Sequence, residues 1–211
     1  METARAVAEA LLDVGALRIE PQNAFTWSSG WRSPLYCDNR ITLSYVSVRN
    51  TICEGFVTRI RQQFTRAEAV CGVATGGLPH GMLVADRLAL PFLYVRPAPK
   101  AHGLMNQVEG RVVKGQRVIV IEDLVSTGES SLKAIRALRE AGIEVEGLLS
   151  IFHYGFDQAE RLFQSEGIVF RSLCTFDTLL AVATGRDLIS PDQVEQIRAW
   201  RASPSTWQPT E

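Results

Sequence analysis

The thirteen residues from Val118 to Ser130, VIVIEDLVSTGES, constrain this chain more than any other stretch. Val118 to Ile121 are β-branched throughout, which suits a strand buried on both faces of a parallel sheet. The run ends in two adjacent carboxylates, Glu122 and Asp123, and a Ser/Thr/Gly loop follows. Ser130 to Ala141 then carry helical spacing, with Leu132, Ile135 and Leu138 on one side. Strand, polar loop and helix in that order place binding groups at the carboxyl edge of a sheet, where open α/β folds hold their ligands.

Each residue type in the stretch matches a need of a phosphorylated ribose. Backbone N–H groups from Val125 to Ser130 lie at a helix N-terminus, where unpaired donors and the positive end of the helix dipole favour phosphate. Gly128 lets the main chain approach closely. The hydroxyls of Ser126, Thr127 and Ser130 add donors, while Glu122 and Asp123 are acceptors for a ribose diol or for water on a metal. The plain alternative is a strand, a turn and a helix that uses Ser and Thr only as caps. A carboxylate pair just ahead of the loop is what that alternative does not call for. No G-x-x-x-x-G-K-[ST] and no G-x-G-x-x-G occurs, and the loop has no lysine, so Walker-type and dinucleotide sites are excluded.

A second glycine-bearing turn lies at Gly72 to Pro79, GVATGGLP. The N–H groups of Thr75, Gly76 and Gly77 form a candidate anion-binding concavity, although such a turn alone is also compatible with an ordinary strand-to-helix junction. Further along, Lys100 is one of only three lysines, with Lys114 and Lys133, in a chain that otherwise uses arginine. A lysine kept in a loop suggests a task for a mobile ammonium. His102 follows two residues later, so on an extended segment both side chains face the same way.

At these residues the chain resembles a known family. Residues 118–130 look like the phosphoribosyl pyrophosphate signature of type I phosphoribosyltransferases. Phe25 to Arg40, FTWSSGWRSPLYCDNR, is similar to the substrate loop of the orotate phosphoribosyltransferases, in the branch that carries SPxYCDNR. Arg96 to Gly110, RPAPKAHGLMNQVEG, resembles that family's mobile catalytic loop. The resemblance runs from about residue 10 to residue 180.

It implies an α/β fold, a parallel-sheet core under a small N-terminal hood, and transfer of a phosphoribosyl group to orotate with Mg2+. The implied catalytic residues are Lys100, His102 and Asp123. Phosphoribosyl pyrophosphate would be held by Arg96, Lys100, His102, Glu122, Asp123, Leu124, Val125, Ser126, Thr127, Gly128, Glu129 and Ser130, with Thr75 and Gly76 from the pyrophosphate loop. Orotate would meet Ser126, Ser28, Ser29, Gly30 and Tyr36. The metal would be bound indirectly through substrate, with Glu122 and Asp123 acting through water. The family places the catalytic loop over the neighbour's site, which implies a homodimer. Departures from the family's pattern are Pro97, Ala98 and Pro99, where many members add a lysine, and Ser28, Gly76, Tyr154 and Glu129.

The rest of the sequence sets limits. A chain of 211 residues can bury one sizeable core, read here as a single domain with a hood over 1–40, a core over about 45–180 and a C-terminal helix near 190–201. A formal charge of −1 and the lack of a basic run argue against nucleic acid. No apolar stretch reaches the roughly 20 residues of a membrane span, and the N-terminus is unlike a targeting peptide, so the expected place is the cytosol. Cys37, Cys53, Cys71 and Cys174 show no zinc spacing and are expected to be reduced and mostly buried. His80 and His153 are expected to pack or face solvent. Helices are expected near 3–13 and 45–63, and strands near Ala69–Ala74, Phe92–Val95, Val118–Ile121, Glu146–Phe152 and Ile168–Ser172. Ser190 opens a final helix with Val194, Ile197 and Trp200 on one side, and the last ten or so residues look disordered. Two rival functions remain open at this point: a purine phosphoribosyltransferase, which would not need residues 25–40, and a non-catalytic sensor of phosphoribosyl pyrophosphate, which would ordinarily add a basic DNA-binding extension.

Overall fold

A computed structural model describes residues 2–27, 29–98 and 107–209. Helix α1 (Glu2–Asp13) leads into two small antiparallel ribbons. One pairs β1 (Leu17–Ile19) with β4 (Leu35–Cys37), and the other pairs β2 (Phe25–Thr26) with β3 (Arg32–Ser33). A 3-10 turn over Asn39–Ser44 connects them to α2 (Val46–Gln63). Then follow β5 (Ala69–Val73), α3 (Gly77–Leu88), β6 (Phe92–Val95), β7 (Val108–Glu109), β8 (Arg117–Val125) and α4 (Glu129–Glu140). The chain continues through β9 (Glu144–His153), α5 (Asp157–Ser165), β10 (Phe170–Thr175), α6 (Phe176–Gly185) and α7 (Pro191–Ala202).

The main sheet has the order β10-β9-β8-β5-β6-β7, parallel except for the edge strand β7, which runs against β6. Alternate side chains of its central strands feed opposite layers, as the two-residue period of a strand requires. Val70, Ile119, Ile121 and Leu149 join α1, α2, α3 and α6 on one face. Ala69, Cys71, Val118, Val120 and Leu148 meet α4 and α5 on the other. Coverage of both faces is why the VIVI run carries no polar residue. In α4, Leu132, Ile135 and Leu138 are buried as the spacing predicts, each side chain worth about 1.5–3 kcal/mol for leaving water.

Chain order and sheet order reverse between β5 and β8, because β6 leaves to one side and β8 to the other. In such sheets the crevice outside the carboxyl ends of the two diverging strands is the natural ligand site. The two loops singled out in the sequence, after β5 and after β8, flank that crevice.

Several expectations need correction. Strand β8 continues to Val125 rather than ending at Ile121, since β9 pairs with it as far as Val125↔His153, so both carboxylates lie within the strand. Strand β10 begins at Phe170, not Ile168, because the Ile168 N–H donates to the Phe163 carbonyl at 2.9 Å and closes the end of α5. The antiparallel β7 was not anticipated. The tail is more ordered than its Ser/Pro/Thr content implies: the Trp207 N–H donates to Ser203 O at 3.0 Å and the indole packs on the core. The Ser-Pro opening of α7 is a capping box between Ser190 and Gln193 with proline in the first turn.

Candidate active site

The two carboxylates at the switch point are not equivalent. Glu122 is buried, with Oε1 accepting from Ser131 Oγ at 3.4 Å, whereas Asp123 is partly exposed at the crevice. Burial pushes both carboxyls above the usual range, Glu122 well above it, and the neighbouring Asp123 charge adds to the Glu122 shift. One buried and one half-buried acid with little positive charge beside them favour an incoming group that donates hydrogen bonds or carries positive charge.

The pyrophosphate-loop candidate is pressed directly onto this pair. A Cβ added to Gly76 would collide with the Asp123 carboxylate, and one added to Gly77 with the Ile121 carbonyl. Glycine at 76 is therefore what lets the N-terminus of α3 sit against β8, and it brings Thr75 and Gly76 to the carboxylates. The Thr75, Gly76 and Gly77 N–H groups have no backbone partner among the described residues. Across the crevice the N–H groups from Ser126 to Ser130 are likewise left open at the start of α4. Gly128 adopts φ +84, and a Cβ there would meet the Phe163 ring at 2.8 Å, so this turn requires glycine twice over.

Beside the phosphate loop is a cavity of about 620 Å³ lined by Thr26, Trp27, Ser29, Trp31, Tyr36, Cys37, Leu124, Ser126, Thr127, Glu129 and Tyr154. Its aromatic wall is built across the chain. Trp27 packs on Tyr154 with ring centres 4.9 Å apart and against Trp200 at 5.7 Å, while Tyr154 stacks on Phe156 at 5.6 Å. Trp200 Nε1 donates to Arg32 O at 3.0 Å and Trp27 Nε1 to Leu35 O at 3.2 Å, so α7 props the hood ribbon from below. Such a slot, flat walls with hydroxyls at one end, suits a planar polar ring.

Ser29, Tyr36 and Ser126 are thus brought together with Leu124, Thr127 and Glu129. Gly30 forms the ribbon turn, its N–H donating to Trp27 O at 2.8 Å, rather than lining the cavity. Val125 and Ser130 contribute main chain: the Val125 side chain belongs to the core and Ser130 faces solvent. Glu129 stands in the cavity wall and is exposed. Arg96 lies at the carboxyl end of β6, where its guanidinium is 3.8 Å from Glu109. Its backbone exchanges hydrogen bonds with Gln107, at 2.9 Å each. Ser28, Lys100 and His102 lie outside the described residues. Sequence reasoning missed Trp27, Trp31, Thr26 and Ser131, although both tryptophans stand inside the FTWSSGW string. Burial pushes the Cys37 thiol well above its ordinary range, which disfavours the reactive thiolate, and none of the four cysteines is in a disulfide. His80 and His153 are buried, each lowered to about 4 by burial and hence neutral.

The phosphoribosyl transferase domain model matches residues 49–175, more than half of the chain. The chain belongs to the phosphoribosyltransferase family. Curated relatives of this phosphoribosyltransferase include the orotate phosphoribosyltransferase of Cytophaga hutchinsonii, 45% identical over 207 residues and covering 98% of this chain and 99% of that one. The orotate phosphoribosyltransferase of Bacillus pumilus is 48% identical over 200 residues, covering 95% and 94%. Among solved structures, orotate phosphoribosyltransferase from Aeropyrum pernix superposes with a TM-score of 0.75 at 35% identity, over 87% of this chain and 99% of that one.

Proposed function

We propose that this phosphoribosyltransferase joins N1 of orotate to C1′ of 5-phosphoribosyl 1-pyrophosphate, giving orotidine 5′-monophosphate and pyrophosphate on the route to pyrimidine nucleotides. The observation that carries the reading is the shared wall: Ser126, Thr127 and Glu129 belong both to the phosphate loop and to the planar cavity. A base in that cavity faces a sugar whose 5′-phosphate is held by residues 125–130. Near-full-length similarity to orotate phosphoribosyltransferases supports orotate as the base.

In the reaction the C1′–O bond to pyrophosphate breaks with its electron pair going to the leaving oxygen, the N1–C1′ bond forms, and the N1 proton passes, by way of the catalytic loop, to the released pyrophosphate. Glu122 and Asp123 hold the ribose hydroxyls while C1′ gains positive charge, and burial strengthens that interaction. Lys100 and His102 neutralise the departing pyrophosphate and take part in proton transfer, with Arg96 at the root of the same loop and Thr75 and Gly76 supplying N–H donors. Ser29, Tyr36 and Ser126 are the orotate contacts, joined by Ser28 and by Gly30 through its turn.

Magnesium fits as a substrate-borne ion. Among the described residues no group of three His, Cys, Asp or Glu side chains gathers to hold a metal, whereas Glu122 and Asp123 can accept from its waters. The ion supplies charge neutralisation for a multiply charged leaving group.

The working unit in this reading is a cytosolic homodimer of single-domain chains. Ile41, Tyr45, Val46 and Met82, all exposed, sit on the 3-10 turn, the start of α2 and α3, elements that pack on one another, and support an apolar contact between copies. Among the described residues no helix is long and apolar enough to cross a membrane. The decisive assay follows loss of orotate, and of a panel of purine bases, with phosphoribosyl pyrophosphate and magnesium. Turnover of a purine with none of orotate would overturn the assignment. Loop sharing is tested by co-expressing Lys100→Ala and Asp123→Asn chains under different tags. The purified heterodimer, with one site doubly altered and one intact, should recover about half of wild-type activity, and a heterodimer without recovery would mean each chain uses its own loop.

A further inference from the structure

Asn39 is fully buried, and both ends of its side-chain amide are engaged. Nδ2 donates to the backbone oxygen of Asp123 at 2.7 Å, across 84 residues of sequence. Oδ1 accepts from Cys37 Sγ at 3.4 Å, and Cys37 belongs to the wall of the base cavity. The Asn39 backbone oxygen accepts from Thr42 Oγ1 at 2.5 Å. The His80 ring lies beside the Asn39 backbone, with Nε2 3.4 Å from Thr42 Oγ1. His80 stands on α3, the helix capped at its N-terminus by Gly76. One residue therefore touches the base wall, the ribose-binding strand and the helix behind the pyrophosphate loop.

The contact with Asp123 occurs where the sheet no longer helps. Pairing of β8 with β5 stops at Ile121, so beyond that point β8 has no strand neighbour on its β5 side. A buried carbonyl must find a donor, and the Asn39 amide supplies it. Asp123 is then held from two directions, by Asn39 through its peptide and by the close approach of Gly76 to its carboxylate.

We propose that Asn39 is a positioning residue for phosphoribosyl transfer, fixing the Asp123 peptide, and with it the carboxylate, relative to the base cavity. The proposal rests on the reading of Asp123 as a ribose ligand. Asn39 touches no reacting atom, so its effect is on alignment, and a misplacement of about 1 Å can lower a rate by roughly a hundredfold.

The test compares Asn39→Asp and Asn39→Ala with wild type. Asn39→Asp keeps the size and the oxygen facing Cys37 but loses the N–H donor. Active sites are counted by titrating quenching of the Trp27 and Trp31 fluorescence with orotidine 5′-monophosphate, so that any loss of folded protein is divided out. The expected result is a kcat per titrated site lower by on the order of a hundredfold, with KM for both substrates within about threefold of wild type. Thr42→Val, which loosens Asn39 without touching Asp123, decides the matter if the Asn39 variants do not fold; it should lower kcat by roughly threefold to tenfold. Wild-type kcat per site in every folded variant would overturn the proposal. Asp123→Asn is run alongside: if it stays active, the ribose reading has failed, whereas its inactivity together with unimpaired Asn39 variants removes only the positioning role.

Discussion

The two halves of the site are built on different physical plans. The carboxylate and phosphate side comes from contiguous sequence, residues 122–130, set between a two-sided buried strand and a helix N-terminus, with glycines that allow a second loop to press against it. The base side is a mosaic. Its walls come from residues 26–37, from 124–129 and from Tyr154, propped by Trp200 of the last helix. The first half is fixed by backbone and hydrogen bonds and should govern the chemical step. The second is fixed by aromatic packing and should govern which base enters and how tightly.

The largest effect expected on this division is from Asp123→Asn. The change preserves shape and removes charge at the proposed ribose site, and kcat should fall by about 10²–10³-fold, the scale seen when one preorganised electrostatic group is lost. Single-turnover kinetics measure it directly. A Gly76→Ala chain should come next, since its methyl group collides with the Asp123 carboxylate; kcat/KM should drop by on the order of a hundredfold while the orotate KM stays near normal. If instead orotate binding collapses with the rate intact, the two halves are not separable as described. Trp27→Ala should act in the opposite sense, raising the orotate KM by roughly tenfold with a much smaller change in kcat, as expected for loss of a ring-packing surface worth about 1.4 kcal/mol.

The smallest effect concerns stability. The Glu122 carboxyl is raised well above its usual value by burial first and by the Asp123 charge second. The folded chain therefore holds that proton more tightly than the unfolded chain. The resulting stabilisation is fully present below the unfolded pKa, near 4.5, and disappears as pH rises through the folded value. Glu122→Gln should remove this dependence and raise the stability of the ligand-free protein near pH 7 by on the order of 1 kcal/mol, with the advantage shrinking in acid. Thermal unfolding at several pH values checks this, and an advantage that grows in acid would reverse the assignment.

The same contrast explains what the sequence made legible. Val118–Ser130 could be read because strand, loop and helix are consecutive and each is governed by local spacing. Glu122 and Asp123 stand out that way as candidates, although their place inside β8 does not, because strand length is set by the pairing of β9 rather than by β8 itself. The base cavity was half visible. Ser29 and Tyr36 came from the resemblance of residues 25–40, while Trp27 and Trp31, in the same string, acquire meaning only when Tyr154 and Trp200 arrive from far along the chain. Ser131 was overlooked in favour of its neighbour Ser130, since only the phase of α4 decides which hydroxyl turns inward to Glu122.

The hydrogen bond from Trp200 to the Arg32 carbonyl spans 168 residues, and it sets an order of events during synthesis. Strands β1 to β10 all precede α7 in synthesis, and the ribbon bearing Trp27 and Trp31 gains its support only after α7 leaves the ribosome. The aromatic wall of the cavity is therefore the last part of the proposed site to be completed, and a chain ending before residue 191 would lack the Trp200 support of that wall.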